Sequence, residues 1–354
     1  MKQNGRLVVK VGSQVLCEPD GRLSMPVLEG LVEQIVSLRT GGWDVVLVTS
    51  GAVAAGSGSL GDSGPANPVA RRQVLAAVGQ VRLMETYRRL FEARGLVVAQ
   101  VLASKSDFQS RGHYLNMRAC IETLLGAGVV PIANENDVVS VTELMFTDND
   151  ELAGLLAGLV GAQRLVLLST VAAVLDAAGA PIAVWDDAEH DMADVVKTGT
   201  TQLGRGGMQS KLEVARKAAG LGIEVVIADG RDPTVLAALA APHSVGTRFP
   251  AGRVASPTRR WLATMEGHAL GAVTVNAGAE QALSDRSRLT SLLPIGVERV
   301  EGDFVRGDVI QVRSTDGRLL GCGRAQYGHA EARAAIGHRD RKPVIHCDYL
   351  YLVD

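Results

Sequence analysis

The sequence predicts an α/β protein with a doubly wound, mostly parallel sheet, followed by a smaller, mainly β domain. Three observations predict this fold class. Short apolar, β-branched segments alternate with amphipathic segments from the start of the chain to about residue 240. These apolar segments are mostly continuous, which is typical of strands buried on both faces of a parallel sheet. After residue 262, short apolar runs are instead separated by Gly and Asp turns, which indicates a β-rich domain.

The elements of the first domain follow from the apolar pattern. Strands are expected at 7–11, 45–48, 97–102, 129–132, 165–168 and 225–228. Between the first two strands, segment 27–38 carries one apolar stripe at helical spacing, with Ser24 and Pro26 as a start signal. Further helices are expected at 152–160 and 209–221.

The pattern changes near residue 240. Segment 241–260 contains three prolines, two glycines and four arginines, so we interpret it as a linker. The first domain is therefore predicted at 1–240 and the second at 261–354, with strands near 271–275, 309–312 and 319–322.

Composition limits the class of protein. A chain of 354 residues suits two domains, and a net charge of −2 gives no general attraction to nucleic acid or anionic membranes. Four separated cysteines without a CxxC pair fit reduced thiols in the cytoplasm and no metal site. Neither a secretion signal nor an apolar run of the ~20 residues that span a membrane is visible, so a cytoplasmic protein is expected.

Two acidic-amide clusters carry most of the functional information. Asn134-Glu135-Asn136-Asp137 follows a predicted strand, and Asp148-Asn149-Asp150 precedes a predicted helix. Carboxylates can hold an ammonium group and amides can hold a carboxylate, so the clusters could recognise a small zwitterion. The alternative is two ordinary polar turns, because Asn and Asp are common turn and N-cap residues.

Two lysines lie where ligands bind in an open α/β sheet, at the carboxyl ends of strands. Lys10 lies within the apolar segment 8–11, where burial is costly unless the ammonium meets an anion. Lys211 lies in the first turn of a predicted helix, where the helix dipole disfavours a cation, and so also indicates an anionic ligand. Solvated surface lysines are the alternative.

Small residues adjoin several of these strand and helix ends. Gly12 and Ser13 follow Lys10, segment 49–52 (Thr-Ser-Gly-Ala) opens a helix, and the glycine-rich segment 204–208 precedes the helix that carries Lys211. Free N–H groups at such places suit a phosphate or carboxylate. A GxGxxG match at 56–61 is followed by loop residues rather than a helix, which argues against a dinucleotide site, and no Gly-Lys pair of a Walker A loop occurs.

This set of residues suits phosphoryl transfer. It lacks a nucleophile–base pair, and a carboxylate acceptor with a pKa of ~4.3 needs no general base at neutral pH. Catalysis then consists of aligning two anions and neutralising charge on the transferred group. Mg²⁺ would arrive with the nucleotide and keep most of its water ligands.

These segments resemble the amino-acid kinase family, in particular its glutamate-phosphorylating members that carry a C-terminal PUA domain. The resemblance extends over essentially the whole chain and implies an open, mostly parallel sheet with helices on both faces plus a small PUA domain. The most specific part is the pair of acidic-amide clusters. The matching segments are 8–13, 49–56, 75–80, 134–137, 148–150, 206–208 with Lys211, 244–247 and 291–294.

The resemblance implies a role for each matching residue. Lys10 and Lys211 would contact the transferred phosphoryl group, and Asp150 would orient both lysines. Ser50, Asn134, Asp137 and Asn149 would bind the acceptor. The nucleotide would be bound by Lys10, Gly12, Ser13, Ser169, Thr170, Arg205, Gly206, Gly207, Met208 and Lys211. No residue is assigned to a metal.

The implied activity is ATP-dependent phosphorylation of the side-chain carboxylate of L-glutamate to glutamyl 5-phosphate, the first step of proline biosynthesis. Mg²⁺ would come with ATP, proline would act as feedback inhibitor, and the chain would form a homo-oligomer through its kinase domain. At two nucleotide-side positions the sequence departs from the family pattern: Thr170 stands in place of Asp, and Arg205 in place of Thr.

Two other classes of function are open. The altered nucleotide segment suits a regulatory subunit that binds amino acids and phosphorylates poorly, although the retained Lys10, Lys211 and Asp150 argue against it. The second class is an RNA-binding protein that acts through its PUA domain. Residues 269–354 contain eleven Arg plus Lys and eleven Asp plus Glu, so RNA binding by this neutral domain is not expected.

Overall fold

The computed structural model describes residues 5–18, 20–60, 67–139, 148–190, 192, 195, 207–238, 245–265, 269–285 and 290–353. The chain divides into two compact units, Met1–Val254 and Ala255–Asp354. Within the described ranges, no helix has the length and apolar character that a membrane crossing requires.

The first unit contains a sheet of the predicted α/β kind. Its strand order is β3-β4-β2-β1-β5-β6-β7, and every neighbouring pair is parallel except β6 and β7. The six predicted strands correspond to β1–β6, and the apolar segments are buried as expected for a sheet covered on both faces. The strands are β1 (Gly5–Val11), β2 (Trp43–Thr49), β3 (Val98–Ala103), β4 (Val130–Glu135), β5 (Arg164–Ser169), β6 (Glu224–Asp229) and β7 (Thr247–Phe249).

The linker prediction is wrong for residues 247–249. They form β7, which pairs antiparallel with β6 at the edge of the sheet. Thr247 and Phe249 are both buried, and the Phe249 ring stacks on Trp185 with the ring centroids 5.3 Å apart. The surrounding Pro, Gly and Arg residues hide this short strand, because a three-residue element gives almost no periodic signal.

Helices cover the sheet. Helix α2 starts directly after Ser24 and buries the expected stripe of Leu28, Leu31, Val32 and Ile35. The helices of this unit are α1 (Ser13–Leu16), α2 (Met25–Thr40), α3 (Ala52–Leu60), α4 (Pro68–Glu92), α5 (Lys105–Gln109), α6 (Arg111–Gly126), α7 (Asn149–Val160), α8 (Met208–Gly220) and α9 (Val235–Ala238).

The first five residues of the GxGxxG segment, 56–60, lie inside a helix. Gly56 lies in the middle of α3, and α3 ends at Leu60. A Cβ atom on Gly56 would lie 2.0 Å from the backbone oxygen of Leu75 in α4, and one on Gly79 would lie 1.7 Å from the backbone oxygen of Ala52 in α3. These glycines therefore allow α3 and α4 to pack backbone against backbone, which is a structural role that needs no nucleotide.

The sheet order brings the predicted functional segments together. Strands β4, β2, β1 and β5 are consecutive neighbours and run parallel, so their carboxyl ends lie side by side along one edge. The two acidic-amide clusters, Lys10 and Ser169 all lie at or near these ends. This is the edge at which open α/β sheets bind ligands.

The second unit has a five-stranded sheet with the order β12-β11-β10-β8-β9, as the predicted mainly β domain requires. Its core consists of residues such as Val273, Ile310 and Ile345. Its elements are α10 (Pro257–Thr264), β8 (Gly271–Val275), α11 (Ala277–Ser284), β9 (Val297–Gly302), β10 (Val309–Arg313), β11 (Leu319–Ala325), α12 (His329–Ala335) and β12 (Ile345–Leu352).

Candidate active site

A buried carboxylate between two lysines forms the centre of the candidate site. Asp150 lies in the first turn of α7 and has no solvent exposure. Its Oδ1 atom lies 2.6 Å from the Nζ atom of Lys10, and its Oδ2 atom accepts a 2.9 Å hydrogen bond from Nζ of Lys211. The structure thus brings together one residue from β1, one from α7 and one from the first turn of α8.

The charged groups in this centre stabilise one another. Burial alone would raise the pKa of the Asp150 carboxyl, but the positive charges of Lys10 and Lys211 and their hydrogen bonds hold that pKa below its usual value. The sequence predicts a bound anion beside each lysine. In the structure, the anion beside both lysines is a residue of the protein itself, Asp150. These three groups carry one net positive charge among themselves, part of which the nearby Asp148 carboxylate offsets, and the two ammonium groups can contact a further anion.

Asp148 fixes the start of α7. Its Oδ1 atom accepts hydrogen bonds from the backbone N–H groups of Asp150 and Glu151 at 2.9 and 3.1 Å, as an N-cap residue does. Burial, reinforced by the negative charge of Asp150, raises the pKa of the Asp148 carboxyl. The second cluster therefore combines a capping carboxylate, Asp148, with a carboxylate that contacts two lysines, Asp150, and their pKa values are shifted in opposite directions.

A chain of amide groups extends from this centre across the ends of β2 and β4. The Nδ2 group of Asn149 donates to the backbone oxygen of Thr49 at 2.8 Å, to Oγ of Ser50 at 2.8 Å and to Oδ1 of Asn134 at 3.0 Å. Asn134 in turn donates from Nδ2 to Oε1 of Gln80 in α4 at 2.9 Å. Three of the four residues predicted to bind the acceptor, Ser50, Asn134 and Asn149, are thus in direct contact.

The fourth, Asp137, lies in a small charged group after β4. Its Oδ1 atom accepts a 2.8 Å hydrogen bond from Nη2 of Arg72 in α4, and the same nitrogen lies 3.9 Å from Oε2 of Glu135. The Asp137 and Glu135 side chains are largely buried, whereas Arg72 is partly exposed. Two carboxylates and one guanidinium leave one net negative charge, which suits a single ammonium group.

Apart from Lys10 within β1, the predicted nucleotide residues that the structure describes directly follow β1, end or follow β5, or lie at the start of α8. Gly12 caps the short helix α1, which begins at Ser13, and a Cβ atom on Gly12 would lie 3.4 Å from Nζ of Lys10. Ser169 ends β5 and is followed by Thr170. Gly207 is the N-cap residue of α8, which begins at Met208. The expectations for Arg205 and Gly206 lie outside the described residues.

The sequence predicts no individual role for three residues that contact this site: Arg72, Gln80 and, within the second cluster, Asp148. The N-cap signal at Asp148 is visible in the sequence. Gln80 ends segment 75–80, which matches the family but contains no charged or nucleophilic residue to draw attention. The contact of Arg72 with Asp137 spans 65 residues and depends on how α4 packs, so no local pattern could reveal it.

A separate group of potential metal ligands lies in the second unit. Donor atoms of His346, Cys347 and Asp348 on β12 all lie within 4.8 Å of one another. The Nδ1 atom of His346 already accepts a 3.2 Å hydrogen bond from the backbone N–H of Asp348, so its lone pair is engaged. The Asp348 side chain is mostly exposed. Because the His346 nitrogen is already hydrogen-bonded and the Asp348 carboxylate is exposed, these three residues do not indicate a metal site.

Comparison with known proteins places the fold and the site in a family. The chain belongs to the amino acid kinase family, whose sequence profile matches residues 5–229, and the profile of the PUA domain matches residues 271–346. The predicted family resemblance and fold class are thereby confirmed.

Curated relatives match along the full length. The chain is 46% identical over 351 residues to glutamate 5-kinase from Chlorobaculum tepidum, covering 98% of this chain and 97% of that protein. It is 41% identical to glutamate 5-kinase from Bacteroides thetaiotaomicron, covering 99% of this chain and all of that protein. A carbamate kinase from Giardia lamblia bound to AMP-PNP shares the fold, with a TM-score of 0.50 at 18% identity over 71% of this chain.

Proposed function

We propose that this protein transfers the γ-phosphoryl group of ATP to the side-chain carboxylate of L-glutamate, giving glutamyl 5-phosphate, the first intermediate of proline biosynthesis. The observation that carries the proposal is the separation of charge along the sheet edge. The Lys10–Asp150–Lys211 centre has one net positive charge, and the Arg72–Glu135–Asp137 group has one net negative charge. An amino acid with a second carboxylate can satisfy both groups at once.

The proposed binding mode follows the strand order. The acceptor lies over the ends of β4 and β2, with its ammonium group at Asp137 and its reacting carboxylate near Ser50 and Asn149. The nucleotide lies over the end of β5, along Gly12, Ser13, Ser169, Thr170, Gly207 and Met208, with Arg205 and Gly206 on the same segment. The phosphoryl group then passes between the two at Lys10 of β1 and Lys211 of α8, which both contact Asp150.

The reaction needs little covalent chemistry from the protein. A carboxylate is ionised at neutral pH and attacks the phosphorus directly, so no general base is required. The two ammonium groups neutralise charge that develops on the transferred group, and Asp150 holds both ammonium groups at hydrogen-bond distance from one carboxylate. Because these are charge-assisted contacts to a rigid helix start, the lysines are positioned before the substrates bind.

Mg²⁺ would be bound mainly by the nucleotide. Both oxygens of Asp150 are engaged by ammonium groups, so the described centre offers no carboxylate cage for a resident metal. That donor set fits an ion that arrives with the phosphates and keeps several water ligands. When bound, the ion would supply charge neutralisation on the phosphates.

Four further properties belong to the same proposal. The enzyme is expected in the cytoplasm, and none of its four cysteines forms a disulfide, as suits a reducing compartment. Proline is expected to inhibit it, and the kinase unit is expected to form the oligomer. The second domain is not expected to bind RNA, because its charges balance.

A coupled assay of ADP release tests the proposal. We expect ADP release with ATP and L-glutamate, little with L-aspartate, and a low background without an acceptor. Lys10→Met and Lys211→Met should each lower kcat by about 10²–10³-fold, the usual effect of removing a group that stabilises transition-state charge. Equal ADP release with all three acceptor conditions would show that glutamate is not the acceptor.

A further inference from the structure

Gln80 lies on a helix whose position beside the site is fixed by close packing. Gly79 touches the first turn of α3 so closely that a Cβ atom there would lie 1.7 Å from the backbone oxygen of Ala52. Ala52 follows Ser50 and Gly51 at the end of β2. The backbone next to Gln80 is therefore held against the turn that carries Ser50, one of the proposed acceptor-binding residues.

The hydrogen bonds around Asn134 determine which end of the Gln80 amide faces Asn134. The Oδ1 atom of Asn134 accepts from the backbone N–H of Glu135 at 2.9 Å and from Nδ2 of Asn149 at 3.0 Å. A backbone N–H can only donate, so this Asn134 atom must be the oxygen. Asn134 must then donate from Nδ2, and Gln80 must present its oxygen, as the 2.9 Å contact shows.

This polarity leaves the other end of the Gln80 amide without a partner. The Nε2 group of Gln80 is buried from solvent and has no hydrogen-bond partner among the described residues. A buried N–H group without an acceptor is costly, and native proteins rarely leave one unless a ligand completes it. The group is a donor that the surrounding protein has oriented but not satisfied.

We propose that Nε2 of Gln80 donates a hydrogen bond to the α-carboxylate of the amino-acid acceptor and so determines the length of acceptor that is used. The proposal rests on the function proposed above. Along the amide chain, Asn149 adjoins Asp150 and the lysines, Asn134 follows, and Gln80 is farthest from the reacting centre. A carboxylate held at Gln80 leaves room for the rest of the amino acid to extend toward Lys10 and Lys211.

Gln80 thus acts as a specificity-determining residue. A donor at a fixed distance from the lysines favours an acceptor whose two carboxylates are separated by the right number of carbons. Aspartate, which is one methylene shorter, could reach either Gln80 or the lysines but not both. The fixed polarity also disfavours a substrate that presents an N–H or ammonium group at this position, because Gln80 offers an N–H group and not an oxygen toward the substrate.

Two substitutions separate direct substrate contact from a mere effect on Asn134. Gln80→Glu keeps an oxygen that can accept from Asn134 but replaces the donor with a carboxylate oxygen that repels the α-carboxylate. Gln80→Met removes both groups. If Gln80 contacts the substrate, Gln80→Glu should raise the glutamate KM more than Gln80→Met, with increases of about tenfold or more and the ATP KM nearly unchanged, as expected when a hydrogen bond to a charged group is lost.

Val81→Glu is the matched control, because it adds the same charge to the same helix at a side chain that is 71% exposed. The second readout uses 4-aminobutyrate, which is glutamate without its α-carboxylate, as a competing acceptor. The apparent KM for 4-aminobutyrate should change less than twofold in Gln80→Met, while the KM for glutamate rises. Circular dichroism and thermal unfolding check that each variant is folded.

The outcomes are distinguishable. A wild-type enzyme without glutamate-dependent ADP release would contradict the proposed function itself. An active wild type in which Gln80→Glu is milder than Gln80→Met would show that Gln80 only orients Asn134 and would overturn this inference alone. A rise of equal size for glutamate and 4-aminobutyrate in Gln80→Met would overturn it as well, and this second comparison holds even if Gln80→Glu does not fold.

Discussion

Replacing Asp150 by Asn isolates the contribution of the charge at the centre of the site. The substitution preserves the size of the side chain but removes the negative charge between Lys10 and Lys211, whose ammonium groups lie 2.6 and 2.9 Å from its two oxygens. The Asp150 side chain is 1% exposed, so water cannot replace the lost charge. Two buried ammonium groups would be left without their shared partner.

The expected loss of stability is large. Breaking a buried ion pair by removing one partner costs about 3–5 kcal/mol. We expect the lower end, about 3 kcal/mol, because the amide oxygen of Asn still accepts one hydrogen bond. For a unit of this size, that corresponds to a fall of roughly 6–12 °C in the thermal midpoint.

The pH dependence has a definite sign. Because the pKa of Asp150 is lower in the folded protein than in the unfolded chain, its stabilisation is present above the unfolded pKa of ~3.9. It is lost as the pH falls through the folded pKa. The difference in thermal midpoint between wild type and Asp150→Asn should therefore be complete at neutral pH and close only under acidic conditions.

The kinetic effect should divide between kcat and KM. The neutral amide no longer aligns the lysines, so kcat should fall by about 10²-fold or more. The ATP KM should not rise, because two uncompensated ammonium groups attract phosphates at least as strongly as before. ATP should also raise the thermal midpoint of the variant more than that of the wild type.

Glu151→Gln is the control, since Glu151 is the next residue in α7 and its pair with Lys105 is partly exposed. Partly exposed pairs contribute about 0–1 kcal/mol, so this variant should remain near wild type. The coupled ADP-release assay and thermal unfolding, with and without ATP, measure both effects. An Asp150→Asn variant with unchanged kcat and a raised ATP KM would refute the assignment of Asp150 as the residue that aligns the lysines.

Three further predictions concern residues around this centre. Asp137→Ala should raise the glutamate KM at least tenfold, because it removes the carboxylate proposed to hold the ammonium group and leaves Arg72 without this partner. A change below twofold in the ADP-release assay would show that the pocket is misplaced. Asp148→Asn should keep the N-cap and raise the thermal midpoint at neutral pH, since the wild-type pKa is raised by burial and the charged form is penalised. That gain should shrink as the pH falls below the raised pKa and vanish near the unfolded value of ~3.9, and a constant difference across the pH range would contradict it. Thr170→Asp should lower the ATP KM at least about fivefold by restoring a hydrogen-bond acceptor for the nucleotide, and a weaker ATP affinity in the variant would place Thr170 away from the nucleoside.

The sequence carries enough information to predict the strands of the first sheet. Segments such as 45–48 and 165–168 are continuous and apolar, and both are fully buried strands. The pattern at 247–249 did not predict β7, because it covers only three residues and is surrounded by Pro, Gly and Arg residues. Strand order is set by packing between distant segments, so the adjacency of the β4, β2 and β1 ends became visible only in the fold.

The parts of the site that depend on residues close together in the sequence were predictable. Lys10 stands out because a charge within an apolar strand demands a partner, and the amide–carboxylate clusters stand out by composition. Nearby sequence could not reveal which residue pairs with the lysines. Lys211 and Asp150 are 61 residues apart, and only the family resemblance linked them. Gln80 and Arg72 were missed because an ordinary helix surface supplies both, and only the packing of α4 turns them toward β4.

The most direct test of the account detects the acyl phosphate itself. Wild-type protein is incubated with ATP, Mg²⁺ and L-glutamate in the presence of hydroxylamine, which converts an acyl phosphate to a hydroxamate. We predict that γ-glutamyl hydroxamate and ADP form in equal amounts, and that Asp150→Asn lowers both together. Glutamate-dependent ADP release without hydroxamate would contradict phosphorylation of the side-chain carboxylate at the Lys10–Asp150–Lys211 centre.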